Sequence, residues 1–209
     1  NTTPTTVYAE DFSTGDGGWI HYPLTPPDTW MIDSSRPSPV SGGDAWMATD
    51  HSAPSDQALE TVDIMLPSDY TQMLMSFYNE QDFEDPSGSG GCWDGSMLEI
   101  STDGGTSWTQ LDGELITDPY DGIGNNGPPT GIPLWCGSEG GFQAWLNSVV
   151  DISAFGGEEV RFRFRMLSDA AAGGPGWWID DMEIVACTDE VTDVALTGIG
   201  NLDPAISGF

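Results

Sequence analysis

The stretch Gly176-Trp177-Trp178-Ile179-Asp180-Asp181-Met182-Glu183-Ile184-Val185 decides how the fold of this chain is interpreted. Its aromatic and β-branched residues predict a strand. Side chains alternate along a strand, so Trp178 and Met182 are predicted to share one face, with Ile179 on the other. The stretch also carries two adjacent carboxylates among apolar residues, and an unpaired buried carboxylate costs several kcal/mol. A bound cation is the simplest explanation for this acidic pair.

The rest of the chain predicts an all-β fold, a two-sheet antiparallel β-sandwich. Helical periodicity is nearly absent, and short runs of aromatic and β-branched residues recur between Gly, Pro and Asp turns. One clear hairpin turns at Asp103-Gly104-Gly105. The expected strands lie within residues 7–12, 29–33, 44–50, 58–66, 72–78, 96–102, 107–111, 147–152, 159–166 and 176–185.

The charge of the chain limits its partners. It has 34 acidic residues against four arginines and no lysine, a formal net charge of −30. This field repels nucleic acid and anionic lipid, so we exclude both as partners. No apolar run is long enough to cross a bilayer, which excludes membrane insertion. We expect an extracellular protein, secreted or on a cell surface, and either a mature protein or an excised module because no signal peptide is recognisable.

Three of the four arginines fall in one predicted strand. Arg161, Arg163 and Arg165 alternate with apolar residues, so they should form a row on the outer face. We expect this row to neutralise acids on neighbouring strands, at about 0.2–1 kcal/mol for each exposed pair, with anion binding as the alternative. The intervening residues are predicted to face the core: Val160, Phe162, Phe164 and Met166.

The three cysteines predict one disulfide. Cys92 and Cys136 each stand beside a tryptophan in the two longest insertions, so we expect a bond that joins those loops, with Cys187 unpaired. Such a bridge contributes about 2–4 kcal/mol. Aromatic faces suit sugar rings, and packing within the loops is the alternative role for the tryptophans here. The candidate sugar-stacking residues are Trp93, Trp135 and Trp145.

Six short segments form a recognisable series. They are Glu10-Asp11-Phe12 with Gly17-Gly18-Trp19, Gly43-Asp44-Ala45-Trp46-Met47, Leu98-Glu99-Ile100-Ser101-Thr102-Asp103-Gly104-Gly105-Thr106-Ser107-Trp108, Val150-Asp151-Ile152-Ser153-Ala154-Phe155, Val160-Arg161-Phe162-Arg163-Phe164 and Gly176-Trp177-Trp178-Ile179-Asp180-Asp181. In order and spacing this series resembles the MAM-like jelly-roll superfamily. It is similar above all to the modules attached to immune-inhibitor-A-type secreted metallopeptidases and to the cleaved-adhesin domains of bacterial surface proteins.

The resemblance implies a jelly roll whose first and last strands lie side by side, with a structural Ca²⁺ near them. Calcium takes six to eight hard oxygen ligands at about 2.3–2.6 Å. Asp44 as a mere turn residue, and one member of the acidic pair facing solvent, are the alternatives. The chain lacks the disulfide pattern of eukaryotic MAM domains, so receptor-type homophilic adhesion is not carried over. The implied ligands are Glu10 or Asp11, Asp44, Asp180 and Asp181.

The domain organisation follows from the same series. We expect an extended arm over residues 1–6, the jelly roll over 7–187, and a tail or linker over 188–209. The tail contains one strand-like run, 191–199. Arm and tail have no predicted partner strand of their own, so they suit addition to the sheet edge of a neighbouring copy.

Three functions remain open. The first is a non-catalytic module that binds a glycan or a surface protein. The second is a self-assembling subunit of a filament or surface layer, built from copies that exchange their terminal segments. The third is a laminarinase-like hydrolase, because Glu80 and Glu84 in Glu80-Gln81-Asp82-Phe83-Glu84 alternate as the paired carboxylates of retaining glycosidases do. Other marks of such enzymes are absent, as are HExxH and Gly-x-Ser-x-Gly motifs, so we expect no catalysis.

Overall fold

The computed structural model describes residues 4–84, 91–125, 130–138 and 144–188, and their regular structure is almost entirely β-strand. One 3-10 turn covers Ser153–Phe155, and the described residues contain no helix long and apolar enough to span a membrane. The strands are β1 (Thr5–Glu10), β2 (Ile20–Thr25), β3 (Met31–Asp33), β4 (Ala45–Ala48), β5 (Ser55–Glu60), β6 (Ile64–Met65), β7 (Gln72–Asp82), β8 (Gly91–Cys92), β9 (Gly95–Ser101), β10 (Thr109–Gln110), β11 (Gly122–Gly124), β12 (Pro133–Leu134), β13 (Leu146–Asp151), β14 (Glu159–Ser168) and β15 (Gly176–Cys187).

Two six-stranded antiparallel sheets make up the sandwich. The β15 sheet has the order β13-β7-β15-β4-β3, with β1 also paired to β15. The β14 sheet has the order β10-β9-β14-β5-β2, with β6 paired to β14. The first and last strands lie side by side, from Thr5 opposite Ala186 to Glu10 opposite Met182. The predicted all-β jelly-roll sandwich is therefore confirmed.

The core lies between the two sheets and is rich in aromatic rings. Phe77 of β7, Phe164 of β14 and Trp177 of β15 are fully buried, and the ring centroids of Phe77 and Phe164 lie 5.1 Å apart. Strand β14 alternates as predicted over residues 160–166, since the four residues predicted to face the core have no exposed surface. Burial of a large aromatic side chain removes 150–250 Å² from water. This face of β14 therefore contributes much of the stability of the sandwich.

The predicted face assignment of β15 is wrong, because a β-bulge interrupts the strand. Its pairing with β7 shifts register between Asp180 and Glu183, and Asp181 has a φ of 50°. A bulge inserts residues that break the two-residue alternation. Ile179 and Met182 therefore both face the core, whereas Trp178 lies on the opposite face. The bulge turns the acidic pair away from the core.

Part of the predicted N-terminal arm belongs to strand β1. Thr5 and Thr6 pair with Ala186 and Val185 of the same chain. One edge of this part of the arm is thus hydrogen-bonded within the sandwich. The predicted strand-like run 191–199 lies outside the described residues, as does the rest of the tail beyond residue 188.

Some elements were not predicted, because their sequences lack strand patterning. Strand β2 contains Pro23 and lies at the edge of the β14 sheet, where proline is tolerated. Its Ile20 and Leu24 are exposed, so no buried face marks it. Strands β8, β11 and β12 form a small third sheet from two- and three-residue pieces of the insertions.

Candidate functional site

An open groove follows the junction of β1 and β15, and three predicted cation ligands line it. Glu10, Asp11 and Asp181 border this β1–β15 groove together with Tyr78 and Glu183, around a volume of about 560 Å³. Burial is the main cause that raises the pKa of the Tyr78 phenol, and the negative charge of Asp181 raises it further. The groove is thus a strongly acidic concavity at the bulge.

The two adjacent aspartates are held differently by the loop over residues 34–44. Asp180 is fully buried, and its carboxylate accepts from the Asp181 amide at 2.7 Å and from the Ser41 hydroxyl at 3.0 Å. Burial and the charge of Asp181 raise the pKa of Asp180 to about 7. Asp181 accepts from the Ser38 hydroxyl and the Ser41 amide and reaches the groove. Only Asp181 of the pair therefore lines the open surface.

The remaining predicted ligands stabilise turns in this structure. The Glu10 carboxylate accepts from the Phe12 amide at 2.9 Å, and the Asp11 carboxylate accepts from the Ser13 amide at 3.0 Å. These bonds from Ser13 hold the pKa of Asp11 below its usual range. Asp44 is exposed immediately before β4 and does not line the groove. The structure thus brings Glu10 and Asp11 to Asp181 but leaves Asp44 outside.

The groove offers the type of donor that a hard cation prefers, but its carboxylates are not closely gathered. Carboxylate oxygens are the ligands that Ca²⁺ prefers. Among the residues that the structure describes, however, the carboxylates that approach within 4.8 Å of one another in a set of three belong to Glu84, Asp94 and Asp169. The predicted ligands are not gathered in this way: Glu10, Asp11, Asp44, Asp180 and Asp181.

The proposed hydrolase pair does not form. Glu80 is fully buried and ion-paired with Arg36, whose guanidinium also contacts Asp82 at 2.9 Å and lies 3.8 Å from the ring centroid of Trp178. Glu84 lies beyond the end of β7, in a different group of acids. A retaining glycosidase needs both carboxylates about 5–5.5 Å apart at an open cleft. A Glu80 that is fully buried against Arg36 has no access to a substrate.

The predicted sugar-stacking platform is wrong for Trp135. This side chain is fully buried, its ring centroid is 4.6 Å from that of Tyr120, and its indole nitrogen donates to the Asp118 carbonyl at 2.8 Å. Trp93 and Trp145 are half-buried. Trp135 enters the core because it pairs with Ser96 beside β9, which turns it inward.

The disulfide adjoins this buried tryptophan. Cys92 and Cys136 are bonded, with their Cα atoms 5.7 Å apart, and both belong to a second apolar cluster with Met97, Leu134 and Leu167. This cluster covers one end of the β14 sheet, opposite to the main core. Cys187 is buried and unpaired. The bridge therefore fixes both insertions against the sandwich.

The outer face of the β14 sheet carries the row of arginines, which we call the arginine face. Arg161 pairs with Asp63 at 2.7 Å, Arg163 with Glu99 at 2.6 Å, and Arg165 with acids on both neighbouring strands. The prediction that this row neutralises neighbouring acids is confirmed. Since these charged groups hold one another, each has a fixed position.

Two half-buried aromatic rings complete the arginine face. Trp108 covers the Arg163 guanidinium, 4.2 Å from its ring centroid, and the Tyr22 hydroxyl donates to Glu60. Burial and the bond to Glu60 raise the pKa of Tyr22, so its hydroxyl keeps its proton at neutral pH. Sequence reasoning predicted the arginine row but not the two rings beside it, because β2, which carries Tyr22, was not predicted. The signal was the spacing of Trp108 from the hairpin turn, which places it next to the arginine strand.

Comparison with known proteins supports the fold. No family model matches the chain. Over 181 residues it is 22% identical to Bacillopeptidase F of Bacillus subtilis (strain 168), a match that covers 85% of this chain and 10% of that protein. The chain therefore spans about a tenth of the length of the curated relative it matches.

Among solved structures, the chain resembles carbohydrate-binding and adhesin modules. The carbohydrate-binding module TmCBM61, solved with β-1,4-galactotriose, superposes with a TM-score of 0.50 at 12% identity, covering 84% of this chain and 93% of that one. The K1 cleaved-adhesin domain of Lys-gingipain from Porphyromonas gingivalis W83 gives 0.50 at 16% identity, covering 86% and 97%. At these identities the likeness establishes a shared jelly-roll fold.

Proposed function

We propose that this chain is a non-catalytic binding module of a secreted or surface protein, and that it recognises a glycan through the arginine face. One observation carries the proposal: Tyr22 and Trp108 leave part of their rings exposed on either side of Arg163. Aromatic faces pack against the C–H groups of a sugar, while neighbouring polar groups hydrogen-bond to its hydroxyls. The fold shared with a galactotriose-binding module and with adhesin domains supports this function.

The ion pairs of the arginine face favour such recognition. Arg163 and Glu99 are almost fully buried and already hold each other, as do Arg165 and Asp56. Groups fixed before binding lose little conformational entropy when a ligand arrives. Binding of a flexible sugar chain then orders the ligand while the protein surface stays as it is.

We expect Trp108→Ala to weaken binding of soluble β-1,4-galactan by about 30-fold, which corresponds to the roughly 2 kcal/mol of a central aromatic contact. Affinity gel electrophoresis and calorimetric titration measure the loss. Trp145→Ala is the matched control, since this half-buried tryptophan adjoins β13 in the opposite sheet. Equal losses in both variants would place the ligand elsewhere. Failure of the wild-type chain to bind galactan or any of a panel of neutral and acidic polysaccharides would contradict glycan recognition.

We also propose that a structural Ca²⁺ stabilises the β1–β15 groove, held by Asp181 with Glu10 or Asp11. At a concentration 100 times its dissociation constant, a bound ion adds about 2.7 kcal/mol. For a chain of this size that raises the melting temperature by about 5–10 °C. Calorimetry with and without EDTA should show this difference, and Asp181→Asn should reduce it. Asp44→Asn, an exposed site outside the groove, should leave it unchanged. An Asp181→Asn variant with the full EDTA effect would remove the groove as a calcium site.

A further inference from the structure

Four carboxylates from the ends of four strands meet at one place outside the β1–β15 groove. Asp50 follows β4, Glu84 follows β7, Asp94 precedes β9, and Asp169 follows β14. One carboxylate oxygen of each of the last three lies within 4.8 Å of the others. The Asp50 carboxylate is close enough to Asp94 for its charge to act on that group. We call this group the carboxylate cluster.

The carboxylate cluster is buried. Asp94 is fully buried, Asp50 and Asp169 are each 3% exposed, and Glu84 is half-buried. The chain's arginines are engaged elsewhere, Arg36 with Glu80 and the other three on the arginine face. Like charges gathered in a low-dielectric interior repel strongly. The cluster therefore needs a positive partner in a way that a solvated acidic surface does not.

In both Asp50 and Asp94, backbone amides donate to one carboxylate oxygen, and the second oxygen accepts no hydrogen bond. Asp50 Oδ2 accepts from the Glu84 amide at 2.9 Å and from the Gly174 amide at 2.6 Å. Asp94 Oδ1 accepts from the Asp169 amide at 2.5 Å. The second oxygens, Asp50 Oδ1 and Asp94 Oδ2, are buried and have no hydrogen-bond donor. The same is true of one oxygen of Glu84. Buried oxygens that are held in place but accept no hydrogen bond are the arrangement expected of a ligand site.

We propose that the carboxylate cluster binds a divalent cation of the Ca²⁺ type, with Glu84, Asp94 and Asp169 as ligands and with Asp50 holding the backbone of Glu84 in place. An all-oxygen, carboxylate-rich donor set suits Ca²⁺, whereas zinc sites are built mainly from cysteine and histidine. Mg²⁺ usually keeps several of its waters and is held by only one or two carboxylates, which fits a buried set of three less well. The ion supplies the positive charge that the buried oxygens lack.

The position of this site gives it a structural role separate from the groove. Asp50 and Glu84 follow strands of the β15 sheet, whereas Asp94 and Asp169 adjoin strands of the β14 sheet. An ion bound by Glu84 from one sheet and by Asp94 and Asp169 from the other ties the two sheets together at one end of the sandwich. Asp94 lies two residues after Cys92, so the ion also fixes the insertion that carries the disulfide.

The test is the thermal stability and calcium stoichiometry of the full chain. In EDTA, Asp94→Asn is expected to melt no lower than the wild type, because no ion is lost and the amide adds no charge to the cluster. In millimolar CaCl₂ the wild type should melt above the variant, since the variant loses a ligand. Calorimetric titration with CaCl₂ should lose one bound ion in Asp94→Asn. That ion should be retained in Asp181→Asn, which separates this site from the proposed groove site.

A second variant and a control variant complete the test of the proposed ion site. If Asp94→Asn fails to fold, Glu84→Gln replaces it as the test, because Glu84 is only half-buried. This variant should also lose the ion. Glu159→Gln removes an exposed carboxylate at the start of β14 and should behave as wild type in both media. Wild-type melting that is indifferent to CaCl₂ would overturn the proposal. So would an Asp94→Asn or Glu84→Gln variant that keeps both the stoichiometry and the calcium-dependent gain of the wild type.

Discussion

Replacing Arg36 by methionine is expected to destabilise the protein by about 3–5 kcal/mol, because it removes one partner of a buried ion pair. Arg36 is almost fully buried between the Trp178 ring and the carboxylates of Glu80 and Asp82. Methionine keeps much of the apolar contact with the ring but supplies no charge. Glu80, which is fully buried, would then face an apolar group in a low-dielectric setting. Urea unfolding of the two proteins measures the loss.

A double-mutant cycle separates charge from packing. Glu80→Gln in the Arg36→Met background should recover much of the lost stability, because the remaining side chain no longer carries a buried charge. Arg161→Met is the matched control on the opposite sheet, where the arginine is more exposed and its pair with Asp63 contributes about 1 kcal/mol or less. An Arg36→Met variant that is no less stable than Arg161→Met would mean that the pair is not a stabilising contact.

Removing the disulfide is expected to lower the free energy of unfolding by about 4 kcal/mol in the Cys92→Ser/Cys136→Ser variant. The bridge closes a loop of 44 residues, and loop closure of this length restricts the unfolded chain by about that amount. In the folded state the two sulfurs also pack with Met97, Leu134 and Leu167. Guanidinium unfolding under oxidising conditions gives the comparison.

Reduction of the wild-type protein provides the control for that variant. Dithiothreitol should move the wild-type unfolding midpoint toward that of the double-serine variant and leave the variant itself unchanged. Tryptophan fluorescence, to which the buried Trp135 next to Cys136 contributes, should report the same transition. A midpoint that does not respond to dithiothreitol would contradict a stabilising bridge.

The strands that could be predicted are those whose two faces differ. In β14 the alternation of arginine with apolar residues fixes both the strand and its orientation, because one face must be buried. Strand β2 offers no such contrast, since most of its residues are exposed and Pro23 interrupts it. Strand β15 was located correctly, but its bulge was not, because aspartate tolerates a positive φ without any signal in the neighbouring residues.

The candidate sites were harder to predict than the strands, because their residues come together only through the strand order. Glu84, Asp94 and Asp169 come from separate parts of the chain, and each alone looks like a turn residue at a strand end. Only the strand order brings these ends together, and the sequence does not state that order. Trp135 illustrates the same limit, since its inward direction follows from pairing with Ser96. The arginine partners were predictable because adjacent strands of an acidic chain supply acids wherever arginine faces outward.

The pairing of β1 with β15 has a consequence for how the module is carried. Thr5 lies opposite Ala186, so any chain continuing past these strands would enter and leave at the same end of the β15 sheet. The arginine face lies on the outside of the other sheet, across the whole thickness of the sandwich. If the arginine face binds a ligand, as proposed above, a connection through these two strand ends would start from the sheet that does not carry the binding surface.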